Sequence, residues 1–246
     1  MLSKKVDWQL IILVCSLIII MIMGVRQSLG LFLEPISQFM KDGKEFFSFA
    51  IGFQAIIWGV VTFGLGILID KFGPQKVLAF GIICFASGIF LMSNPNNQLT
   101  LFSATSLMGF GLGGAGMATM VSIAGKVAPP EKRSFAMGLI AAAASFGQFA
   151  VVLPTMWMNK IFGWETSLIV LSIITISLLL LLPLLNNTNE QNNKNDIFKD
   201  ELQNTLIFSL KERNYVLLIM GFFVCGFHVT FIGLHLPTDL MFKGIS

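Results

Sequence analysis

One arginine stands inside a long apolar stretch near the start of the chain. Arg26 lies well within the run Trp8–Leu33. A guanidinium in hydrocarbon costs about 2.5–3.5 kcal/mol on insertion scales, so a carboxylate partner, a water-filled cavity or an anionic ligand must offset that cost. Snorkelling is the alternative, but Glu34, near the end of the run, is about 12 Å away at about 1.5 Å per residue. We favour the cavity, and Arg26 is a candidate substrate-binding residue.

Two histidines and a glutamine are the other polar side chains in apolar runs that could do chemistry. His228 and His235 are seven residues apart, which places them on one face of a helix. Imidazole titrates near neutral pH and can carry a proton, although an intramembrane histidine is often only a satisfied structural donor. His235 lies near the end of its run, where it could simply cap the helix. Gln148 is a further polar candidate, so the candidate substrate-binding set is Arg26, Gln148 and His228.

The composition requires lipid as the solvent for much of the chain. The 246 residues are 55% hydrophobic and 12% charged, whereas soluble domains carry about 25% charged residues. A bilayer-spanning helix needs about 20 apolar residues. The sequence therefore predicts an all-α membrane protein with seven spans, which we number first to seventh. The seven apolar runs are Trp8–Leu33, Phe47–Ile69, Val77–Met92, Leu99–Val121, Phe135–Trp157, Glu165–Leu185 and Tyr215–Leu236.

Several classes of function are disfavoured by what the sequence lacks. The cysteines at 15, 84 and 225 lie in separate runs without metal-ligand spacing, so we expect no metal or other cofactor. The net charge of +3 carries no nucleic-acid meaning, because the basic residues sit in short loops. An intramembrane enzyme would need clustered His, Asp or Glu within the spans, so we do not expect an enzyme.

A polar, Asn-rich segment divides the chain after the sixth run. We predict a six-helix bundle over residues 1–185, a cytoplasmic linker over 186–213 and the first helix of a second bundle over 214–246. A short amphipathic helix is predicted at Ile197–Phe208.

The basic residues fall unevenly on the two sides of the predicted bundle. Eleven lie on the side of the N-terminus and four on the other side, and Arg26 completes the 16 Lys and Arg residues. Because basic loops stay inside, the N-terminus and the linker are predicted to be cytoplasmic. The eleven are Lys4, Lys5, Lys71, Lys76, Lys126, Lys132, Arg133, Lys194, Lys199, Lys211 and Arg213, and the four are Lys41, Lys44, Lys160 and Lys243.

The loop after the second run carries the most specific motif in the sequence. A glycine permits close helix packing, an aspartate lies between two helix ends, and a Gly-Pro pair makes the turn into the third run. The motif residues are Gly66, Leu68, Asp70, Lys71, Gly73, Pro74, Gln75 and Lys76. In the fourth run, the glycine-rich stretch Gly109–Gly116 is predicted to serve tight helix packing, since no nucleotide-binding context surrounds it.

This loop resembles the signature G-x-L-x-D-R/K-x-G-R-R/K of the major facilitator superfamily. Pro74 and Gln75 depart from it, because a basic residue is usual there. Six spans before a long linker, and the segment Pro130–Gly138, also resemble that family. The resemblance implies a multi-pass protein of the cell (inner) membrane that moves a small molecule by alternating access. It also implies that Gly66, Asp70, Lys71, Gly73 and Lys76 form a cytoplasmic gating motif rather than a binding site.

The first and seventh runs resemble the monocarboxylate and oxalate/formate branch of that family. The resemblance is carried by the stretches Arg26–Phe32 and Gly226–Pro237. It implies secondary transport of a small organic anion such as a monocarboxylate. Arg26 and His228 together form a candidate anion-plus-proton site, so coupling to protons is a further expectation. The alternatives are a transporter of a neutral or cationic solute, or a membrane protein truncated after the seventh helix that does not transport. The end of the sequence shortly after the seventh run is the reason to expect truncation.

Overall fold

The computed structural model describes residues 8–40, 43–188 and 211–243. Within these ranges the chain is helical and contains no strand, which confirms the predicted all-α class. Seven described segments are long and apolar enough to cross a membrane, as the seven runs predicted. The helices are Trp8–Ser28, Leu33–Met40, Gly43–Phe72, Pro74–Met92, Gln98–Ala115, Met117–Val127, Arg133–Ala150, Val152–Phe162, Trp164–Ser177 and Arg213–Phe242, with 3-10 segments at Leu29–Phe32, Pro130–Lys132 and Leu178–Thr188.

Three spans are each built from two helices. Two of the breaks lie about one turn before a proline, and the third lies at a glycine. Pro35 and Pro154 have no N–H to donate to the carbonyls of Leu31 and Ala150, so the helices in the first and fifth spans are interrupted one turn earlier. In the fourth span the break falls at Gly116, whose backbone is extended (φ −85°, ψ −166°). A β-carbon at Gly116 would run into the carbonyl oxygen of Leu112, so the break requires a glycine.

The third and fourth spans make the most extensive contact in the described part of the bundle. Glycines allow their backbones to meet. A β-carbon added at Gly81 would lie 2.5 Å from the amide nitrogen of Ala115, and one added at Gly111 would lie 2.5 Å from that of Phe85. The prediction that the glycines of the fourth span serve tight packing is confirmed.

The first span lies at the centre of the six-span bundle. It contacts the fourth, fifth and sixth spans, and Ile18, Ile19 and Ile22 are fully buried. The second span instead exposes large apolar side chains such as Ile56 and Val60, at 64% and 69% of their surface. Apolar side chains suit hydrocarbon, so that face is compatible with contact to lipid.

The connections of the bundle lie at two opposite ends. At one end, which we call the Trp164 end, Trp164 packs edge-on against Phe39, with 5.5 Å between the ring centroids. At the other, the Gly73 end, Gly73 has a left-handed φ of 86° and its N–H donates to the Ile69 carbonyl at 3.0 Å. Pro74 begins the third span there, as the motif predicted.

Gln75 fastens the Gly73 end to the sixth span. This residue stands where the family signature has a basic side chain, and its Nε2 donates to the Leu182 carbonyl at 2.7 Å. The departure from the signature therefore supplies a structural bond between two spans. Residues 189–210, with most of the predicted linker and the predicted helix Ile197–Phe208, lie outside the described part of the chain.

The seventh span touches the rest of the chain mainly through the first span, near the Trp164 end. Gly30 and Gly233 meet there so closely that a β-carbon on Gly30 would overlap the Gly233 carbonyl oxygen. The most apolar stretch of the seventh span has no buried residue. This glycine contact and the hydrogen bond from Arg26 to Thr230 therefore attach the seventh span to the first.

Candidate functional site

A cleft opens where the first, second and seventh spans meet. It encloses about 310 Å³, open solvent included. Its polar lining comes from four side chains on three spans, and the remaining lining is apolar or glycine. The lining residues are Arg26, Gln27, Leu29, Gly30, Ile51, Gln54, Val229, Thr230, Gly233 and Leu234.

Arg26 is held in this cleft by two neighbours that carry no charge. Its Nη2 donates to Thr230 Oγ1 at 3.3 Å, and its Cζ lies 4.8 Å from the centroid of the Trp58 ring. A guanidinium over an indole face is attracted to the ring quadrupole. Among the described residues no carboxylate pairs with Arg26, so its positive charge is available to a ligand in the cleft.

The second span supplies the wall facing Arg26. Gln54 and Trp58 are four residues apart and therefore lie on one face of this helix. Gln54 is only 3% exposed, and its Nε2 has no hydrogen-bond partner in the part of the chain that the structure describes. A buried donor without a partner costs about 1–3 kcal/mol.

The sequence reasoning missed Gln54, Trp58 and Thr230. The signal was present, because Gln54 is a polar residue in an otherwise apolar stretch of the second run. Gln54 and Trp58 also share the four-residue spacing of one helix face. Nothing in the sequence indicated that this face meets Arg26.

The structure does not bring His228 or Gln148 to the cleft. His228 is exposed, and its Nδ1 lies 3.0 Å from the Val224 carbonyl oxygen of its own helix. It stands two residues before Thr230, which turns it about 200° around the helix from the residue that touches Arg26. The structure therefore does not place His228 in the cleft that holds Arg26, and a role of His228 in the site stays a prediction.

Two further polar candidates also stay away from the cleft. Gln148 is half-buried on the fifth span and does not line it. His235 is half-buried, and its ring packs against Phe231 with 5.0 Å between centroids.

The predicted gating motif lies far from the cleft along the second span. Asp70 and Lys71 belong to the last turn of the helix Gly43–Phe72. Asp70 is sixteen residues beyond Gln54, or about 24 Å along the axis. Lys76 is exposed in the first turn of the third span, and Gly73 makes the turn between them. The side chains of Asp70 and Lys71 and the surroundings of Gly66 lie outside the described part of the structure.

Seven described helices that are long and apolar enough to cross a membrane indicate a multi-pass membrane protein. Comparison with protein families identifies the family within this class. The chain belongs to the Major Facilitator Superfamily, whose profile matches residues 10–245. The predicted family is thereby confirmed.

Curated relatives in this family are named as transporters. The chain is 24% identical over 230 residues to an uncharacterized MFS-type transporter, YcxA, of Bacillus subtilis (strain 168), covering 90% of this chain and 55% of the relative. It is 22% identical over 255 residues to an uncharacterized transporter of Buchnera aphidicola subsp. Schizaphis graminum (strain Sg), covering 98% and 61%. It is 23% identical over 189 residues to a putative niacin/nicotinamide transporter, NiaP, of Bacillus subtilis (strain 168), covering 75% and 46%. The chain thus spans about half the length of these relatives.

Proposed function

We propose that the protein is a secondary active transporter of a small organic anion, such as a monocarboxylate, that works by alternating access in the cell (inner) membrane. The observation that carries the proposal is the Arg26 guanidinium in the cleft, bonded to Thr230 and stacked on Trp58 without a carboxylate partner among the described residues. A cation kept inside a membrane bundle by neutral neighbours attracts an anion and repels a cationic solute.

The position of the cleft supports transport rather than storage or catalysis. It lies between the first and seventh spans, which by our domain proposal begin the two bundles, 1–185 and 214–246, on either side of a linker at 186–213. Transporters of this kind bind substrate at the interface of their repeats and move one repeat against the other. The charge asymmetry supports a cytoplasmic N-terminus.

The name of one relative includes a monocarboxylate of modest size. The putative transporter from Bacillus subtilis is named for niacin and nicotinamide, and niacin is an aromatic monocarboxylate. A carboxylate accepts two parallel hydrogen bonds from a guanidinium, which makes an arginine a fitting partner for it. Trp58 holds one face of the guanidinium, so that a ligand would be bound through the planar edge.

Proton coupling is a separate part of this proposal. It rests on His228, an exposed imidazole on the seventh span outside the cleft. We propose that the proton is carried there while the anion is held at Arg26. Replacing His228 with Gln should then abolish the stimulation of uptake by an inward proton gradient and leave anion binding intact.

The test of anion recognition measures binding, which does not require the transport cycle. The protein is placed in lipid nanodiscs and titrated with radiolabelled nicotinate, lactate and formate. We expect saturable binding of at least one of them. Arg26→Gln should weaken it about thirtyfold or more, because a buried charge partner is lost, and Arg26→Lys should retain part of it.

The matched control is Arg213→Gln, since Arg213 is an exposed arginine at the start of the seventh span. It should bind like the unaltered protein. Binding of a neutral or cationic solute that is indifferent to Arg26→Gln, with no binding of any carboxylate, would overturn the proposal in favour of another substrate class.

A further inference from the structure

The second span presents a buried hydrogen-bond donor that no described residue uses. Gln54 lines the cleft with only 3% of its surface exposed, and its Nε2 is without a partner. Folding does not leave a buried amide unpaired without cost, and the usual explanation is a partner that is not part of the protein chain. A ligand in the cleft would supply the missing acceptor.

The surroundings of Gln54 define what that ligand must offer. The other charged or polar groups lining the cleft are Arg26, Gln27 and Thr230, and the rest of the lining is apolar or glycine. Thr230 already accepts from Arg26 Nη2, so the remaining guanidinium N–H groups and the Gln54 amide are donors that need acceptors. Two donor groups that line the same cleft fit a group with two acceptor atoms and no hydrogen to donate.

We propose that Gln54 is a specificity-determining residue, whose amide N–H binds one oxygen of a substrate carboxylate while Arg26 binds the other. This inference rests on the proposed function and names the residue that, together with Arg26, recognises the carboxylate. A carboxylate offers an oxygen to each of the two donors at once, whereas an amide offers its single oxygen to one donor and must turn its NH2 toward the other, so the two donors favour the acid.

The second span gives Gln54 a fixed place relative to Arg26. Trp58 lies one turn beyond Gln54 on the same helix face and stacks on the Arg26 guanidinium. The Trp58 ring contacts the Arg26 guanidinium and belongs to the same helix as Gln54. It therefore fixes the position of the Gln54 amide relative to that guanidinium. A rigid support of this kind keeps both donors oriented before the substrate arrives, which reduces the entropic cost of binding.

The experiment compares acids with their amides in the nanodisc-embedded protein. The probes are nicotinate with nicotinamide and lactate with lactamide, and binding is measured by competition against whichever radiolabelled acid binds. Gln54→Leu should weaken binding of the acid about tenfold or more and change binding of the amide much less. Gln54→Glu keeps the shape but replaces a donor with an anionic acceptor, so the preference for the acid should be lost or reversed.

Gln98→Leu is the matched control, because Gln98 is exposed at the start of the fourth span, away from the cleft. All variants are compared by size-exclusion profile and helical circular dichroism. If Gln54→Leu does not fold, the near-isosteric Gln54→Glu still tests the inference. A structural role alone would lower acid and amide binding by the same factor, and that result would overturn it.

The outcomes also separate the two proposals. Acid binding that is lost in Arg26→Gln but has an unchanged acid-to-amide ratio in both Gln54 variants overturns the role of Gln54 and leaves the proposed function standing. The absence of Arg26-dependent binding of any carboxylate overturns both.

Discussion

Arg26 shows how one charged residue is kept inside an apolar bundle without an ion pair. Thr230 accepts one of its hydrogen bonds and Trp58 covers one face of the guanidinium, so part of the lost hydration is replaced. Because both neighbours are neutral, the net charge of the cleft stays positive. A carboxylate partner would have offset the same cost and removed the attraction for an anion.

The role of Trp58 can be tested apart from the charge that it supports. We predict that Trp58→Leu weakens carboxylate binding by about two- to thirtyfold, because a cation–π contact contributes roughly 0.5–2 kcal/mol. Trp58→Phe should retain part of the affinity. The measurement is nicotinate or lactate binding in nanodiscs, with Trp157→Leu as the control, since Trp157 is 64% exposed on the fifth span. Equal binding by the Leu variant and the unaltered protein would show that the ring does not orient Arg26.

At the scale of the helices, glycines determine which spans can touch. A β-carbon at Gly81 would lie 2.5 Å from a backbone nitrogen of the fourth span, and backbone cannot move aside as a flexible side chain can. On the second span, by contrast, a β-carbon at Gly59 would meet nothing within 4 Å. The same substitution therefore has opposite consequences at the two positions.

We predict that Gly81→Ala destabilises the bundle by about 1–3 kcal/mol, the usual cost of overpacking. Gly59→Ala is the matched control and should be neutral or slightly stabilising, because alanine favours helix. Thermal unfolding of the detergent-solubilised protein, followed by thiol reactivity of the buried Cys15 and Cys84, measures both. The same unfolding midpoint for the two variants would contradict the close packing of the third and fourth spans.

The helices were predictable because each is an apolar run of membrane length. The close contacts of the fourth span were predictable from its many glycines. The cleft was only half predictable. Arg26 was identified by its cost in hydrocarbon, whereas Gln54 and Thr230 became significant only through the crossing of the second and seventh spans near the first. Hydropathy describes each helix by itself and contains no information on which faces meet. The position of His228 outside the cleft is an example, since the phase of the seventh helix turns it away from Thr230.

The signature motif at the Gly73 end leads to a further prediction, about the conformational change of the transport cycle. By resemblance, Asp70 belongs to a gate and does not touch substrate, and it lies about 24 Å along the helix from Gln54. Asp70→Asn should therefore slow uptake into proteoliposomes while leaving equilibrium binding largely unchanged. Asp239→Asn is the control, since that aspartate is exposed and pairs with Lys243 at the end of the seventh span. Normal uptake in the Asp70 variant would remove the gating role.

At the scale of the whole molecule, the fold places the cleft and the signature loop at different ends of the bundle. The cleft lies toward the Trp164 end, where Gly30 and Gly233 hold the first and seventh spans together. The signature loop lies at the Gly73 end, where Gln75 bonds to the sixth span. The second span connects the two ends, because this helix carries Gln54 and Trp58 in its middle and Asp70 in its last turn.

The orientation of these two ends in the membrane follows from charge. Eleven basic residues on the side of the N-terminus against four on the other predict that the Gly73 end is cytoplasmic. The structure places the loop before the fifth span at this end, because Lys132 lies over the Trp8 ring at 5.5 Å, next to the start of the first span. Glu131 and Asn96 are exposed in loops at opposite ends of the bundle.

Cysteine labelling at these two loops decides the orientation. Cys15 and Cys84 are buried, so a Cys225→Ser background leaves little reactive thiol. In that background, Asn96→Cys should react with a membrane-impermeant maleimide in intact cells, whereas Glu131→Cys should react only after permeabilisation. The background protein without an added cysteine gives the unspecific signal. Because both positions are exposed, a difference in labelling reports the side of the membrane rather than burial. The reverse pattern at both positions would place the signature loop outside, and a cytoplasmic gate at Asp70 would then be impossible.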